Sequence, residues 1–234
     1  MSRPGAPAPR GAFITIEGPE GGGKTTLAER LRAHLEAAGR PVHLTREPGG
    51  TWLGERLREV LLARTGADAA ATDPLTDALL FNAARRQLIR EVIQPALDAG
   101  TTVICARYAD STLAYQGYGA GVPLDDLRRL ASIATDGLEP DLTVLLDVPV
   151  EVGLARKSPG DVTRFEAEFD VAFHQRVRDG FLALAAASPE RFIVIDAMAE
   201  MRTMVATAIE AVVRRLDGDA EASEPTSPEM RIIR

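Results

Sequence analysis

Gly18-Pro19-Glu20-Gly21-Gly22-Gly23-Lys24-Thr25 decides the reading of this chain. It fits the pattern G-x-x-x-x-G-K-[ST], and its flanks fit as well. Ahead of it, Phe13-Ile14-Thr15-Ile16 has the make-up of a buried strand. Behind it, Leu27, Leu31 and Leu35 recur at helical spacing. A glycine-rich turn between a strand and a helix start aims backbone N–H groups at one point, where the helix dipole also favours negative charge. Lys24 can reach the β- and γ-phosphates of a bound nucleotide, and the Thr25 hydroxyl can ligate Mg²⁺. The loop from Gly18, Pro19, Glu20, Gly21, Gly22 and Gly23 through Lys24, Thr25 and Thr26 is therefore expected to hold a nucleoside triphosphate. The motif alone does not say where the phosphate goes.

Working outward, short apolar runs at 13–16, 42–45, 102–105, 142–147 and 192–195 alternate with helical patterns. The runs are almost continuously apolar, as parallel strands covered on both faces are. Gly39 followed by Pro41 reads as a helix stop, Thr72-Asp73-Pro74 as a helix start, and Gly100 as the end of the pattern that begins near Leu75. The expected fold class is α/β: a P-loop NTPase with a five-stranded parallel sheet, helices on both faces and a lid segment. Residues 1–11 read as a flexible leader, 12–216 as one domain with a lid at about 156–165, and 217–234 as a disordered tail.

Composition narrows the partners. Of the 234 residues 45% are hydrophobic and 26% charged, enough for one sizeable core. The net charge of −7 lacks the basic excess that a nucleic-acid groove needs. No apolar run approaches the roughly 20 residues of a membrane span. The lone Cys105 lies in an apolar run and reads as a buried inert thiol, and the three histidines lack ligand spacing.

Four segments lie at strand ends or in the helices that follow. Arg46 in Thr45-Arg46-Glu47-Pro48-Gly49-Gly50-Thr51 can clamp a phosphate, or it can be a surface arginine in a tight turn. Phe81 and Arg85 are four apart and share a helix face, which suits a stacked and hydrogen-bonded base, although a core phenylalanine fits as well. Arg107 ends the third apolar run, and Ser111, Thr112 and Tyr115 follow it with three hydroxyls. The segment from Leu154 to Glu166, with Arg156, Lys157, Pro159, Gly160 and Arg164, is basic and Pro/Gly-broken, and reads as a lid or as a solvated loop.

Together these residues resemble the thymidylate kinase family, in one order from about Phe13 to Ala187. The Arg-Glu-Pro-Gly-Gly segment and the Ser111-Thr112 to Tyr115-Gln116 block are its most specific parts. The resemblance implies a cytoplasmic enzyme, usually a homodimer, that makes dTDP from dTMP with ATP and Mg²⁺. It implies that Phe81 stacks on thymine, that Arg85 bonds a carbonyl of the base, and that Ser111 and Thr112 lie by the base. Tyr115 crowds the 2′ position, Arg46 and Arg107 hold the acceptor phosphate, and Glu20 approaches the 3′-hydroxyl. Lys24, Arg107 and a lid arginine, Arg156 or Arg164, are the catalytic candidates, and Thr25 is the metal ligand.

Two positions depart from the pattern. Ala106 stands where the family usually has an acid near the metal, and Thr163 stands where an acid or amide is commoner before Arg164. A kinase for another monophosphate and a nucleotide-binding protein without catalysis are the alternatives.

Overall fold

The computed structural model describes residues 10–63, 72–158 and 163–222. Five parallel strands form one sheet: β1 (Phe13–Glu17), β2 (Val42–Arg46), β3 (Thr102–Ala106), β4 (Leu142–Asp147) and β5 (Phe192–Asp196). Their order is β2-β3-β1-β4-β5. Every side chain of the central β1 is buried, whereas the edge strands β2 and β5 leave positions half-buried or exposed. Coverage on both faces explains why the inner strands read as unbroken apolar runs.

One face of the sheet presents Ile14, Ile16, Ile104 and Val144 to α1 (Lys24–Ala37) and α10 (Met201–Ala222). The opposite face presents Phe13, Val103 and Cys105 to the long helix that starts as α3 (Pro74–Leu88). Leu145 faces α9 (Val171–Ala187) and its phenylalanines. The remaining helices are α2 (Trp52–Leu62), α4 (Gln94–Asp98), α5 (Ala109–Thr112), which runs on as a π-helical segment over Leu113–Gly119, α6 (Leu124–Thr135), α7 (Val150–Ala155) and α8 (Arg164–Glu168).

Local chemistry sets the helix boundaries. Gly39 at φ 79° closes α1 with Gly39 N–H to Glu36 O and Arg40 N–H to Leu35 O, the paired bonds of a Schellman stop. Asp73 caps α3, accepting from the Thr76 amide at 2.9 Å, with Pro74 in the first turn. Between α3 and α4 the helix passes through a π-helical turn at Ile89–Ile93. Pro95 in the first turn of α4 has no N–H to give the α-ladder, and Gln94 N–H reaches back to Ile89 O.

The termini differ in part from their compositional reading. Arg10 pairs with Asp141 at 3.0 Å, and Gly11 N–H bonds Leu97 O, so this end of the leader is docked. At the other end α10 runs past 216 to Ala222, and Asp217 pairs with Arg40 at 2.5 Å. The apolar stripe of Val205, Ile209, Val212 and Leu216 packs on the core and carries the helix onward. Residues 1–9, the central lid positions 159–162 and the tail 223–234 lie outside the described residues.

Candidate active site

The loop that follows β1 ends at α1, whose start has no side-chain cap and no acidic residue in its first turn. Its first N–H groups are thus left for an anion. The loop's glycines are dictated by space. A Cβ on Gly21 (φ 69°) would lie 2.0 Å from Gly153 O, and one on Gly18 (φ 134°) 2.3 Å from Leu146 O. Lys24 folds back over the loop, donating to Gly18 O at 2.9 Å and Pro19 O at 2.6 Å. Burial, and then the neighbouring Arg107 charge, bring Lys24 down to about 7 against the pull of Glu20 and Glu17. Thr25 is exposed at the start of α1, with Thr26 half-buried beside it.

Arg107 links this loop to the second half of the site. It follows β3 in a left-handed conformation, φ 70°, which costs a non-glycine residue about 1 kcal/mol or more. Its guanidinium bonds Glu20 Oε1 at 2.6 Å, Tyr115 OH at 3.2 Å, Ser111 Oγ at 3.2 Å and Gly18 O at 3.3 Å. The Tyr115 hydroxyl donates to the same Glu20 oxygen at 2.8 Å. Burial pushes Glu20 upward, but Arg107, Lys24 and Lys157 outweigh it and hold the carboxyl at about 2. Glu20 is therefore a carboxylate at any working pH.

Beside this cluster opens a half-open cleft. Phe81, Phe165 and Tyr115 form its aromatic wall; Phe81 and Phe165 are 6.2 Å apart and Phe165 meets Tyr115 edge-on at 5.8 Å. Arg85 enters from α3 fully buried. It donates to Glu47 at 2.8 Å, to Asn82 at 2.7 Å, and to Tyr108 O and Thr112 Oγ1 at 3.0 Å each. Four bonds fix the guanidinium plane and still leave one Nη1 hydrogen to donate. Glu47 keeps one buried oxygen without a hydrogen-bond partner among the described residues, and burial lifts the carboxyl to about 7 against the Arg85 charge.

The structure gathers Glu20, Phe81, Arg85, Arg107, Ser111, Thr112 and Tyr115 around this one cleft. Three other sequence candidates do not line it. Arg46 turns outward to Glu55 at 3.0 Å, because that carboxylate is already fixed by the Gly50 amide; Arg58 of α2 lines the cleft instead, donating to Pro48 O. Arg164 is buried, 2.6 Å from Asp77 and bonded to Leu61 O, so its charge is spent inside the fold. Arg156 donates to Ala197 O at 3.0 Å and Gly21 O at 3.4 Å, along the outer side of the loop. The lid cation on the cleft is Lys157, 2.9 Å from Glu166 and 3.8 Å from Glu20.

Sequence reasoning missed Glu47, Arg58, Gln116, Lys157 and Phe165 on the cleft, and Glu17 behind Ser111. Glu17 had a legible signal, a carboxylate ending an otherwise uncharged strand. Glu47 sat in a segment singled out for its arginine, and Lys157 stood next to the arginine chosen. Nothing in the spacing of α2 marks Arg58. The Cys105 thiol is buried and donates to Arg107 O at 3.1 Å; burial raises it well above the usual thiol range, as an inert cysteine requires.

Glu17 is fully buried and stands at about 7 rather than 4.5. Burial is the main cause and Asp110 adds to it, while Ser111, Arg107 and the Tyr108 amide pull it back. Its folded value lies above its unfolded one. Its contribution to stability is thus complete below pH 4.5 and is lost as the pH rises through 7, by up to about 3 kcal/mol. Glu17→Gln should flatten that part of the stability curve, measured as urea midpoints from pH 5 to 8. A slope equal to that of the parent protein would rule the assignment out.

A central strand leading into an uncapped, glycine-lined helix start, with a cation-lined cleft beside it, is the architecture of a P-loop nucleotide kinase. The thymidylate kinase family model matches residues 16–208. The thymidylate kinase of Deinococcus radiodurans is 54% identical over 189 residues, 80% of this chain and 89% of the relative. That of Citrifermentans bemidjiense is 46% identical over 219 residues, 91% and 96% of the two chains. A crystal structure of thymidylate kinase from Ehrlichia chaffeensis superposes with a TM-score of 0.68 at 36% identity, covering 88% of this chain and 99% of that one. This chain belongs to the thymidylate kinase family.

Proposed function

We propose that the cleft between Phe81 and Arg107 is the dTMP site of a kinase that passes the γ-phosphoryl group of ATP to dTMP, giving dTDP and ADP. The observation that carries this reading is the Arg107–Glu20 pair, which ties an acceptor-side cation to the donor loop. Thymine lies on Phe81 with a carbonyl toward Arg85, and Tyr115 fills the space a 2′-hydroxyl would need. Arg107, with Arg58 and Lys157 near it, takes the acceptor phosphate. As Arg107 turns to that phosphate, Glu20 keeps its bond from Tyr115 and gains the sugar 3′-hydroxyl. Lys24 and the α1 amides hold the triphosphate. The acceptor is already an anion, so no strong general base is needed; alignment and compensation of charge do the work.

Mg²⁺ belongs to this reading. Among the described residues no group of three His, Cys, Asp or Glu could cage a metal. Thr25 offers an exposed hydroxyl at the start of α1, which fits an ion that keeps waters and takes the rest of its ligands from phosphate. When bound, Mg²⁺ neutralises the triphosphate oxygens. Ala106 pairs with Ile16 of β1 at the end of β3 and offers no carboxylate to the water shell.

The molecule is also proposed to be a cytoplasmic homodimer. Trp52 and Val60 on α2, Leu75 and Leu79 on α3 and Ile133 on α6 stay exposed on three helices that pack side by side, an apolar face that a second copy would cover. No helix among the described residues is long and apolar enough to cross a membrane.

Initial rates with ATP and each common nucleoside monophosphate test the substrate; a preference for dCMP or UMP over dTMP would overturn it. Ala106→Asp tests the metal account. It should lower the half-saturating Mg²⁺ by roughly threefold or more, or raise turnover. No change in either would remove Ala106 from the account.

A further inference from the structure

The left-handed backbone of Arg107 needs a cause, and the buried Glu17 supplies one. Glu17 ends β1 and Arg107 follows the adjacent β3. Glu17 Oε1 accepts the Tyr108 amide at 2.7 Å, and Oε2 accepts the Ser111 hydroxyl at 2.6 Å. Two further bonds hold the same turn: Arg107 N–H to Ile16 O at 2.9 Å and the Cys105 thiol to Arg107 O at 3.1 Å. The peptide after Arg107 is thus pinned to a carboxylate on the neighbouring strand. A non-glycine residue rarely takes this conformation unaided.

The second Glu17 bond acts on the side chain. A serine hydroxyl has one proton and two lone pairs. With its proton committed to Glu17, Ser111 turns a lone pair toward Arg107 Nη1, 3.2 Å away. The carboxylate therefore fixes both the backbone from which Arg107 springs and the acceptor that steadies its guanidinium. Glu17 lies outside the cleft, which Ser111 and Arg107 line.

We propose that Glu17 is the positioning residue for the acceptor phosphate: through Tyr108 N–H and Ser111 Oγ it holds Arg107 over Gly18 and Glu20, where the phosphate of dTMP must arrive. The proposal rests on the reading of Arg107 as the acceptor-phosphate cation. An amide at position 17 presents an NH₂ to either Ser111 or Tyr108. Toward Ser111 it lets the hydroxyl proton swing to Arg107, so that two donors face each other; toward Tyr108 it opposes the amide.

The test is Glu17→Gln in the full chain, assayed by steady-state kinetics at pH 8 with each substrate varied in turn. kcat/KM for dTMP should fall roughly tenfold or more, as loss of a bond to a charged group does, while KM for ATP stays within about twofold. The thermal midpoint should be no lower than that of the parent protein, because a buried carboxylate has been replaced by a neutral group. Unchanged kcat/KM for dTMP overturns the proposal. So does an equal loss for both substrates with a lowered midpoint, which marks a general structural role. Ser111→Ala cuts the relay without touching Glu17 and should lower kcat/KM for dTMP several-fold; no loss there also overturns it. Arg107→Ala separates the two readings. If it is severe and Glu17→Gln is silent, only the brace is wrong; if Arg107→Ala itself is silent, the acceptor-phosphate reading fails.

Discussion

Replacing Arg107 with alanine should reduce kcat/KM for dTMP on the order of 10³-fold, with KM for ATP altered only a few-fold. More than one hydrogen bond goes. Arg107 is the leading cause holding Glu20 ionised at about 2 against burial. Without it, a carboxylate compensated chiefly by Lys24 and Lys157 faces the incoming phosphate dianion, and like charges in a half-desolvated site repel strongly. The sign of that repulsion gives a second measurement. Glu20→Gln added to Arg107→Ala should recover part of dTMP binding, read by calorimetry, even though Glu20→Gln alone weakens the parent enzyme. If Arg107→Ala keeps kcat/KM for dTMP within about tenfold of the parent, the acceptor phosphate lies elsewhere.

The strand pattern and the helix stops were legible because they depend on local facts. Gly39 could close α1 in one way, and Asp73-Pro74 could open α3 in one way. The π-helical turn before Pro95 was not legible, since a lost ladder bond leaves the spacing of apolar residues almost unchanged. The same line divides the site. Glycines at 18 and 21 announce themselves through the space around them, and the ring and guanidinium of Phe81 and Arg85 share a face by helical geometry alone. Arginines do not announce their direction. Arg46 and Arg58 stand close to one another, and Glu55, nine residues from Arg46 and three from Arg58, takes up the first and leaves the second to the cleft. Long cations are assigned by whichever carboxylate lies in reach, and that is settled by packing between elements far apart in the chain.

Arg164 shows this with the largest effect on stability. Arg164→Met should destabilise the protein by about 3–5 kcal/mol, lowering the thermal midpoint by roughly 10 °C, because it strands Asp77 inside the fold. It should also raise KM for dTMP. Arg164 ties the start of α8 to Leu61 of α2 and Asp77 of α3, and the next two residues are Phe165 on the cleft wall and Glu166 beside Lys157. A loosened α8 therefore moves both the wall and the cation. The decisive variant is Arg164→Met with Asp77→Leu. An apolar pair of similar volume removes the stranded charge, so the midpoint and KM for dTMP should both return most of the way. An arginine acting on the transferring phosphoryl group could not be replaced in this manner, since no repacking restores its charge. Lys157→Ala should behave in the opposite way, lowering kcat by roughly tenfold or more while the midpoint stays within a few degrees. If the Asp77→Leu, Arg164→Met protein recovers its stability and remains as inactive as an Arg107 variant, Arg164 reaches the phosphates during turnover and its buried pair with Asp77 is a resting position.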